Sequence, residues 1–104
     1  MILEVQITDP KTGSSRKMRF SHSPVRIGRN QLNDLSLDTP FVSEWHGTIR
    51  FDNHSIAYFD LGSTNGSMLE GIHKVGGFMT SHTIVMRSKT RTVRWIKARH
   101  VIKH

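Results

Sequence analysis

The sequence predicts an all-β domain in which two antiparallel sheets, with about ten short strands in total, pack as a β-sandwich. Segments rich in β-branched and aromatic residues, several with alternating apolar and polar positions, recur between turn signals. No stretch combines the periodicity of an amphipathic helix with capping residues at its ends. Short strands and frequent turns, without helices between them, are typical of a sandwich.

The first part of the chain contains the clearer strand patterns. Leu3 and Val5 fall on one side of the first strand, and a hairpin turn follows at Asp9-Pro10-Lys11-Thr12-Gly13. Ile49 and Phe51 occupy alternate, inward-facing positions of a later strand. The strands predicted in this part cover residues 2–8, 16–20, 25–29, 35–37, 47–52 and 55–61.

The remainder of the chain continues the pattern with shorter apolar runs. Asn65-Gly66 is a strong signal for a tight turn, and Gly76-Gly77 predicts a loose loop. The strands predicted here cover residues 68–69, 72–75, 83–86 and 92–98.

Length and composition indicate one domain. A chain of 104 residues buries a single core, so we expect one unit over residues 1–104, with residues 99–104 as the start of a connector. The chain has no cysteine, which excludes disulfides and thiolate chemistry. It shows neither a signal peptide nor an apolar run of the roughly 20 residues that span a bilayer. We therefore expect a cytoplasmic protein that does not act at a membrane.

The net charge of +7 is unevenly distributed. Residues 1–60 hold seven Lys or Arg and seven Asp or Glu, whereas residues 61–104 hold eight basic residues and one acid, Glu70. The basic C-terminal hairpin, with Trp95 as a stacking residue, is one alternative site for nucleic acid. Val93 and Trp95 alternating with Arg94 fit a strand with one solvated face equally well. The sequence therefore does not favour nucleic acid as the partner.

Three polar clusters lie at the ends of strand-like runs between residues 25 and 71. They are Gly28-Arg29, Ser43-x-x-His46 and Ser63-Thr64-Asn65-Gly66. Each combines a cation, a hydroxyl or an amide with turn-forming residues, which presents charge-assisted hydrogen bonds from loops on a rigid sheet. This combination suits a phosphate group better than a metal or a nucleophile.

The same residues, in this order and approximate spacing, resemble the forkhead-associated (FHA) domain family. The matching segments are Val25-Arg26-Ile27-Gly28-Arg29, Asn33-Asp34-Leu35-Ser36-Leu37, Val42-Ser43-x-x-His46-Gly47-x-Ile49 and Asp60-Leu61-Gly62-Ser63-Thr64-Asn65-Gly66-Ser67. The resemblance implies a two-sheet sandwich with recognition loops at one end. It also implies a signalling module that binds phosphopeptides, preferring phosphothreonine, and needs no cofactor. The partner would be a Thr-phosphorylated protein or peptide, or another segment of its own full-length protein.

Arg29, Ser43 and Thr64 are the predicted phosphate ligands. The Arg29 guanidinium offers two parallel donors to phosphate oxygens and remains charged at any relevant pH. Ser43 offers its hydroxyl and a nearby backbone amide, as the matching serine does in the family that the chain resembles. The Thr64 hydroxyl reaches the phosphate or its surroundings.

Four further residues have predicted roles around the phosphate. The Asn65 amide carries donors and an acceptor that bracket the peptide backbone beside the phosphoresidue. Gly28 and Gly66 shape the loops. The resemblance makes His46 a scaffold that holds the loops through hydrogen bonds, and no acid stands ready to orient it as a catalytic base.

Glu44 is a doubtful modulator of this site, because family members commonly carry a basic or neutral residue there. Like charges about 4 Å apart cost roughly 1 kcal/mol in water and about 4 kcal/mol at an effective dielectric near 20. We expect a weaker or unusually selective phosphate site. Glu44 also keeps open a second alternative, a docking scaffold that is independent of phosphate.

Catalytic and metal sites are not predicted. Gly71-Ile72-His73-Lys74-Val75-Gly76 has the glycine spacing of a phosphate loop, but Gly77 stands in place of the required lysine and no helix follows. The seven histidines are scattered, without a His-Glu-x-x-His arrangement. We therefore expect a binding module rather than an enzyme.

Overall fold

The two-sheet architecture follows from apolar positions that alternate along most strands. A computed structural model describes residues 2–53, 55–75, 78–87 and 93–101. These residues form nine strands and no helix, and no segment among them could cross a membrane as a helix. The strands are β1 (Ile2–Thr8), β2 (Ser15–Phe20), β3 (Val25–Gly28), β4 (Leu35–Ser36), β5 (Gly47–Phe51), β6 (Ile56–Asp60), β7 (Met68–Val75), β8 (Phe78–Arg87) and β9 (Val93–Val101). The predicted all-β sandwich is confirmed.

The first sheet has five antiparallel strands in the order β2-β1-β9-β8-β7. Leu3, Val5 and Ile7 of β1 are buried, and Val5 and Ile7 lie opposite Ala98 and Ile96 of β9, which are also buried. The intervening positions of β1 face outward. The two-residue alternation in the sequence therefore assigns one face of this sheet to the core.

The second sheet has four strands in the order β4-β3-β5-β6 and supplies the other half of the core. Val25, Ile27, Leu35, Ile49 and Ile56 are fully buried in it. The strand pairs are antiparallel, as predicted, except that β3 and β4 run parallel. A strand as short as β4, with two residues, carries too little pattern to predict its direction.

Other differences from the prediction lie towards the C-terminus. The two strands expected at residues 68–69 and 72–75 form one strand, β7, whose pairing with β8 shifts register between Glu70 and His73. β8 also begins earlier than expected, at Phe78. Residues 99–101 of the predicted connector belong to β9, which pairs with β1, and residues 102–104 lie outside the described residues. The predicted loop at Gly76-Gly77 lies outside the described residues.

The pairing of β3, β5 and β6 positions the predicted site. Ile27, near the end of β3, pairs with Gly47 at the start of β5, and Gly47 pairs with Asp60 at the end of β6. Antiparallel pairing therefore brings the segments that follow β3, precede β5 and follow β6 to the same end of the second sheet.

Candidate functional site

Three loops meet at this end of the second sheet, and we call them together the loop cluster. They cover residues 29–34, 37–46 and 61–67. Backbone hydrogen bonds fasten them at their bases: Arg29 N–H donates to the Ser43 carbonyl at 2.9 Å, and Leu61 N–H donates to the His46 carbonyl at 2.9 Å. Each predicted site residue lies in one of these loops or, for Gly28, directly before one.

Arg29 is exposed at the start of the first loop. Its Nε donates to the Val42 carbonyl at 3.2 Å, which holds the base of the guanidinium against the second loop. Among the described residues, its two terminal nitrogens have no partner. The side chain is therefore anchored at one nitrogen while its charged fork remains available to a ligand.

Ser43 connects the second loop to the third. Its hydroxyl oxygen accepts a hydrogen bond from the Thr64 backbone N–H at 3.0 Å, which leaves the hydroxyl hydrogen available to a ligand. Its own N–H donates to His46 Nδ1 at 3.0 Å, so this amide is already in use. The structure thus brings Arg29, Ser43 and Thr64 together, with the Thr64 side chain exposed.

Asn65 is tied to the second loop, which limits how its amide can meet a ligand. Its Nδ2 donates to the Phe41 carbonyl at 2.9 Å. Within the described part of the chain, one N–H and the Oδ1 oxygen of this amide have no other partner. The next residue, Gly66, has a φ of 74°, a left-handed conformation that favours glycine at this turn.

His46 lies fully buried beneath the loop cluster. Nδ1 accepts the Ser43 N–H, so the proton of the neutral ring is on Nε2. Nε2 lies 3.0 Å from the Gly66 carbonyl and 3.0 Å from Ser67 Oγ. The ring therefore joins the second loop to the third through both nitrogens. It does not contact the Ser43 hydroxyl, as a catalytic base would.

A polar network supports His46 from behind. Asp60 Oδ1 accepts the Ser63 N–H at 2.7 Å, and Oδ2 accepts the hydroxyls of Ser63 at 2.6 Å and Ser67 at 2.7 Å. Burial alone would raise the pKa of Asp60, but the hydrogen bonds from Ser63 and Ser67 outweigh it and lower the pKa below 3.8. Tyr58 Oη lies 2.8 Å from Ser67 Oγ. Burial raises the pKa of Tyr58 to about 12, so this phenol is neutral.

Gly28 is required by close backbone packing. A Cβ atom there would overlap the Glu44 carbonyl oxygen and lie 2.8 Å from Asn33 Nδ2. Asn33 is buried, and its Nδ2 donates to the carbonyls of Asn30 and Glu44, each at 2.8 Å. The first and second loops are therefore locked together at a point where no side chain fits at residue 28.

The Glu44 side chain is exposed, although its backbone is fixed. Its carbonyl accepts the Asn33 amide and, at 3.2 Å, the Asn30 N–H. Within the described part of the chain, its carboxylate forms no ion pair, so it does not neutralise Arg29. Trp45 beside it is 42% exposed, so it does not pack wholly under the loop.

Sequence reasoning did not identify four residues of the supporting framework: Asn33, Tyr58, Asp60 and Ser67. Three of them lie within the sequence segments that carry the family resemblance, which was the available signal. No such signal existed for Tyr58, because the space for its ring depends on Gly47. A Cβ atom at residue 47 would overlap the Tyr58 ring. Among the described residues, no group of three or more His, Asp or Glu side chains could hold a metal ion.

Solved FHA domains share this fold. An FHA domain from Chlamydia trachomatis has a TM-score of 0.71 and 18% identity, over 97% of this chain and 100% of that one. A structure from a structural and functional analysis of phosphothreonine-dependent FHA domain interactions has a TM-score of 0.66 and 24% identity, over 95% of this chain and 99% of that one. Mycobacterium tuberculosis EmbR, in complex with a low-affinity phosphopeptide, has a TM-score of 0.64 and 24% identity, over 97% of this chain and 26% of that one.

The chain is also similar in sequence to curated proteins that are not named as FHA domains. The class 2 fructose-1,6-bisphosphatases of Escherichia coli and Haemophilus influenzae are 31% and 37% identical over 80 residues, which is 74% of this chain. The chain spans only 23% of the length of these enzymes. In contrast, the model of the FHA domain family matches residues 25–91, well over half of the 104 residues, and the chain therefore belongs to the FHA family.

Proposed function

We propose that this domain binds phosphothreonine-containing segments of partner proteins through the loop cluster and acts as an interaction module in signalling. One observation carries the proposal: Arg29, Ser43 and Thr64 are linked by hydrogen bonds, and among the described residues the guanidinium fork and the two hydroxyl hydrogens have no partner. The supporting bonds use Arg29 Nε and the Ser43 oxygen, while the guanidinium fork and the Ser43 hydroxyl hydrogen remain for phosphate oxygens.

The electrostatic balance supports a site of moderate affinity. A phosphate group carries about two negative charges at neutral pH, and a charged hydrogen bond from Arg29 contributes about 1.5–3 kcal/mol. The two hydroxyls each add about 1 kcal/mol. Glu44 opposes binding by about 1 kcal/mol when its carboxylate stays in solvent. A micromolar affinity, about 8 kcal/mol, is consistent with a few such contacts plus the peptide backbone.

The roles of the remaining residues follow from their positions. Asn65 contacts the peptide backbone with the part of its amide that Phe41 does not use. Gly28, His46 and Gly66 maintain the loops. A preference for phosphothreonine over phosphoserine requires an apolar niche for one methyl group, worth about 0.8 kcal/mol. The phosphothreonine-dependent interactions of one structural neighbour and the phosphopeptide bound to another support this ligand class.

We propose binding without catalysis. The contact between His46 and the Ser43 backbone amide, rather than its hydroxyl, leaves Ser43 without a base to activate it. The partial match to the bisphosphatases is too short a part of those enzymes to support their activity here. The partner is a Thr-phosphorylated protein or another segment of the same full-length protein. We place the domain in the cytoplasm, which the lack of cysteine supports.

Isothermal titration with matched phosphothreonine, phosphoserine and unmodified peptide libraries tests the proposal. Arg29→Ala should weaken phosphothreonine binding about 10- to 100-fold, the equivalent of 1.5–3 kcal/mol. Arg26→Ala is the matched control, because Arg26 is exposed on the same segment of chain but outside the loop cluster. Equal binding of unmodified peptides would replace the proposal with phosphate-independent docking.

A further inference from the structure

A second cationic surface lies on the outer face of the first sheet, on a different sheet from the loop cluster. Lys17 and Arg19 extend from β2, and Lys97 and Arg99 extend from β9. The strand between them, β1, places Gln6 opposite both lysines and Glu4 opposite both arginines. All four cations are exposed, and we call this surface the basic face.

Glu4 organises the basic face from its centre. Its side chain is only 5% exposed and accepts Arg99 Nε and Nη2 at 2.9 and 2.7 Å on one oxygen. The other oxygen accepts Arg19 Nε and Nη2 at 3.3 and 3.2 Å. The hydrogen bonds from Arg99 hold the pKa of Glu4 below its usual value, although burial opposes them. Both arginines stay more than half exposed, at 52% and 64%, with their Nη1 groups outside these bonds.

The spacing of the cations defines what the basic face can bind. Alternate strands lie about 10 Å apart, and alternate residues on one strand about 7 Å apart. The four cations therefore stand at the corners of a rectangle with Glu4 and Gln6 between them. A depression of about 170 Å³ is lined by Glu4, Gln6, Lys17, Lys97 and Arg99. Because a carboxylate lies within it, a single compact anion at its centre is disfavoured, whereas several separated anionic groups fit the corners.

We propose that the basic face binds the phosphate backbone of double-stranded nucleic acid, without reading its sequence. A duplex presents many phosphates on a stiff frame, and the release of its condensed counterions drives binding to such a surface. The net charge of +7 and the sequence pI of about 10.6 add long-range attraction. The sequence alone could not place Lys17 and Arg19 beside Lys97 and Arg99, since only the pairing of β1 with both neighbours does so.

An acidic peptide fits the basic face less well than a duplex. The face of a sheet offers no free backbone groups, so a peptide would be held by exposed ion pairs worth about 0–1 kcal/mol each. Ordering each peptide residue costs about 1–2 kcal/mol, which these pairs do not offset.

An anionic membrane also fits less well, because the described side chains that stand between the four cations are the polar Glu4 and Gln6. The exposed large apolar side chains of the described residues lie elsewhere: Leu32, Trp45 and Leu61 in the loop cluster, Phe59 on β6 of the other sheet, and Met68 on β7, two strands away from β9. A membrane-binding surface would combine such side chains with its cations.

Fluorescence anisotropy with a labelled duplex DNA of about 20 base pairs tests the proposal, because such a duplex spans the basic face several times over. With about four phosphates contacted, the logarithm of the binding constant should fall with the logarithm of salt concentration with a slope near −3.6. Affinity should therefore drop about 100-fold between 50 and 200 mM salt. The double variant Lys17→Gln, Lys97→Gln should halve the slope, to about −1.8.

The matched control is Arg26→Gln with Arg50→Gln, which removes the same charge from exposed positions of the second sheet. This control should keep the slope of the unmodified protein. Three results would each overturn the proposal. They are an equal loss of slope in both double variants, no duplex binding at low salt, and tighter binding to phosphatidylserine vesicles or polyglutamate than to the duplex. The variant with both lysines replaced should bind phosphopeptide with unchanged affinity. The two assays therefore distinguish failure of the basic face from failure of the loop cluster.

Discussion

Replacing His46 with alanine tests whether the loop cluster is held together from beneath. His46 is fully buried and contacts the Ser43 N–H, the Gly66 carbonyl and Ser67 Oγ, each at 3.0 Å. Ser67 keeps its bonds to Asp60 and Tyr58, but the two backbone groups lose their partner. A buried polar group left unsatisfied costs about 1–3 kcal/mol. The expected loss is therefore about 4 kcal/mol of unfolding free energy, a large part of the total of about 5–15 kcal/mol for a domain.

Urea unfolding followed by tryptophan fluorescence measures this loss, with His22→Ala as the control. His22 also contacts a carboxylate, Asp34 at 3.2 Å, but its side chain is 57% exposed. An exposed pair of this kind is worth about 0–1 kcal/mol, so the control should remain near the stability of the unmodified protein. If the two variants differ by less than about 1 kcal/mol, the buried hydrogen bonds of His46 do not hold the loops.

Three other substitutions test the loops and their charge. Gly28→Ala forces a Cβ against the Glu44 carbonyl, so urea unfolding should show a loss of about 2 kcal/mol in unfolding free energy. Titration should show weakened phosphopeptide binding. Unchanged stability and affinity would contradict the close packing at residue 28. Glu44→Gln removes a charge near the proposed phosphate site and should tighten phosphothreonine binding about 5-fold at low salt, the equivalent of about 1 kcal/mol. Unchanged affinity would mean that the carboxylate lies too far from the bound phosphate. The lowered pKa of Asp60 means that its carboxylate stabilises the fold above the ordinary value of 3.8 and that this contribution disappears as the pH falls through the folded pKa. Asp60→Asn should therefore flatten the acid limb of stability measured against pH, and an unchanged limb would exclude this carboxylate as its source.

The sequence predicted the fold because most strands carry an alternating pattern that points to one core. Leu3, Val5 and Ile7 on β1 are an example, since their spacing alone places them on one face. The parallel pairing of β4 could not be predicted in this way, because two residues contain no period. The extension of β9 to Val101 likewise depends on β1 as a partner and not on any local pattern of residues 99–101.

The candidate site was predictable only in part. Arg29, Ser43 and Thr64 carry donors in turn-rich segments, which is a local signal. Their mutual contacts join residues 14 and 21 positions apart in the chain, so the sequence could not show that the Ser43 hydroxyl oxygen accepts the Thr64 N–H. The role of Asn33 could not be predicted for a related reason. The local sequence indicates only that Asn33 forms a turn, whereas its Nδ2 donates to the carbonyl of Glu44 in the second loop.

The division of hydrogen-bonding groups would explain how the proposed site holds a phosphate on a small loop surface. In the loop cluster, His46 and Asn33 form the internal bonds, while the Arg29 fork and the Ser43 hydroxyl hydrogen remain outside them. A ligand would then meet donors whose loops are already ordered, and the entropy cost of binding falls accordingly. Arg29 lies in the loop cluster at one end of the second sheet, whereas the basic face lies on the first sheet. Stacked sheets are about 10 Å apart, which exceeds the screening length of about 8 Å at physiological salt. Two anionic partners could therefore occupy the domain together with little repulsion, so saturating duplex DNA should leave the phosphopeptide affinity unchanged.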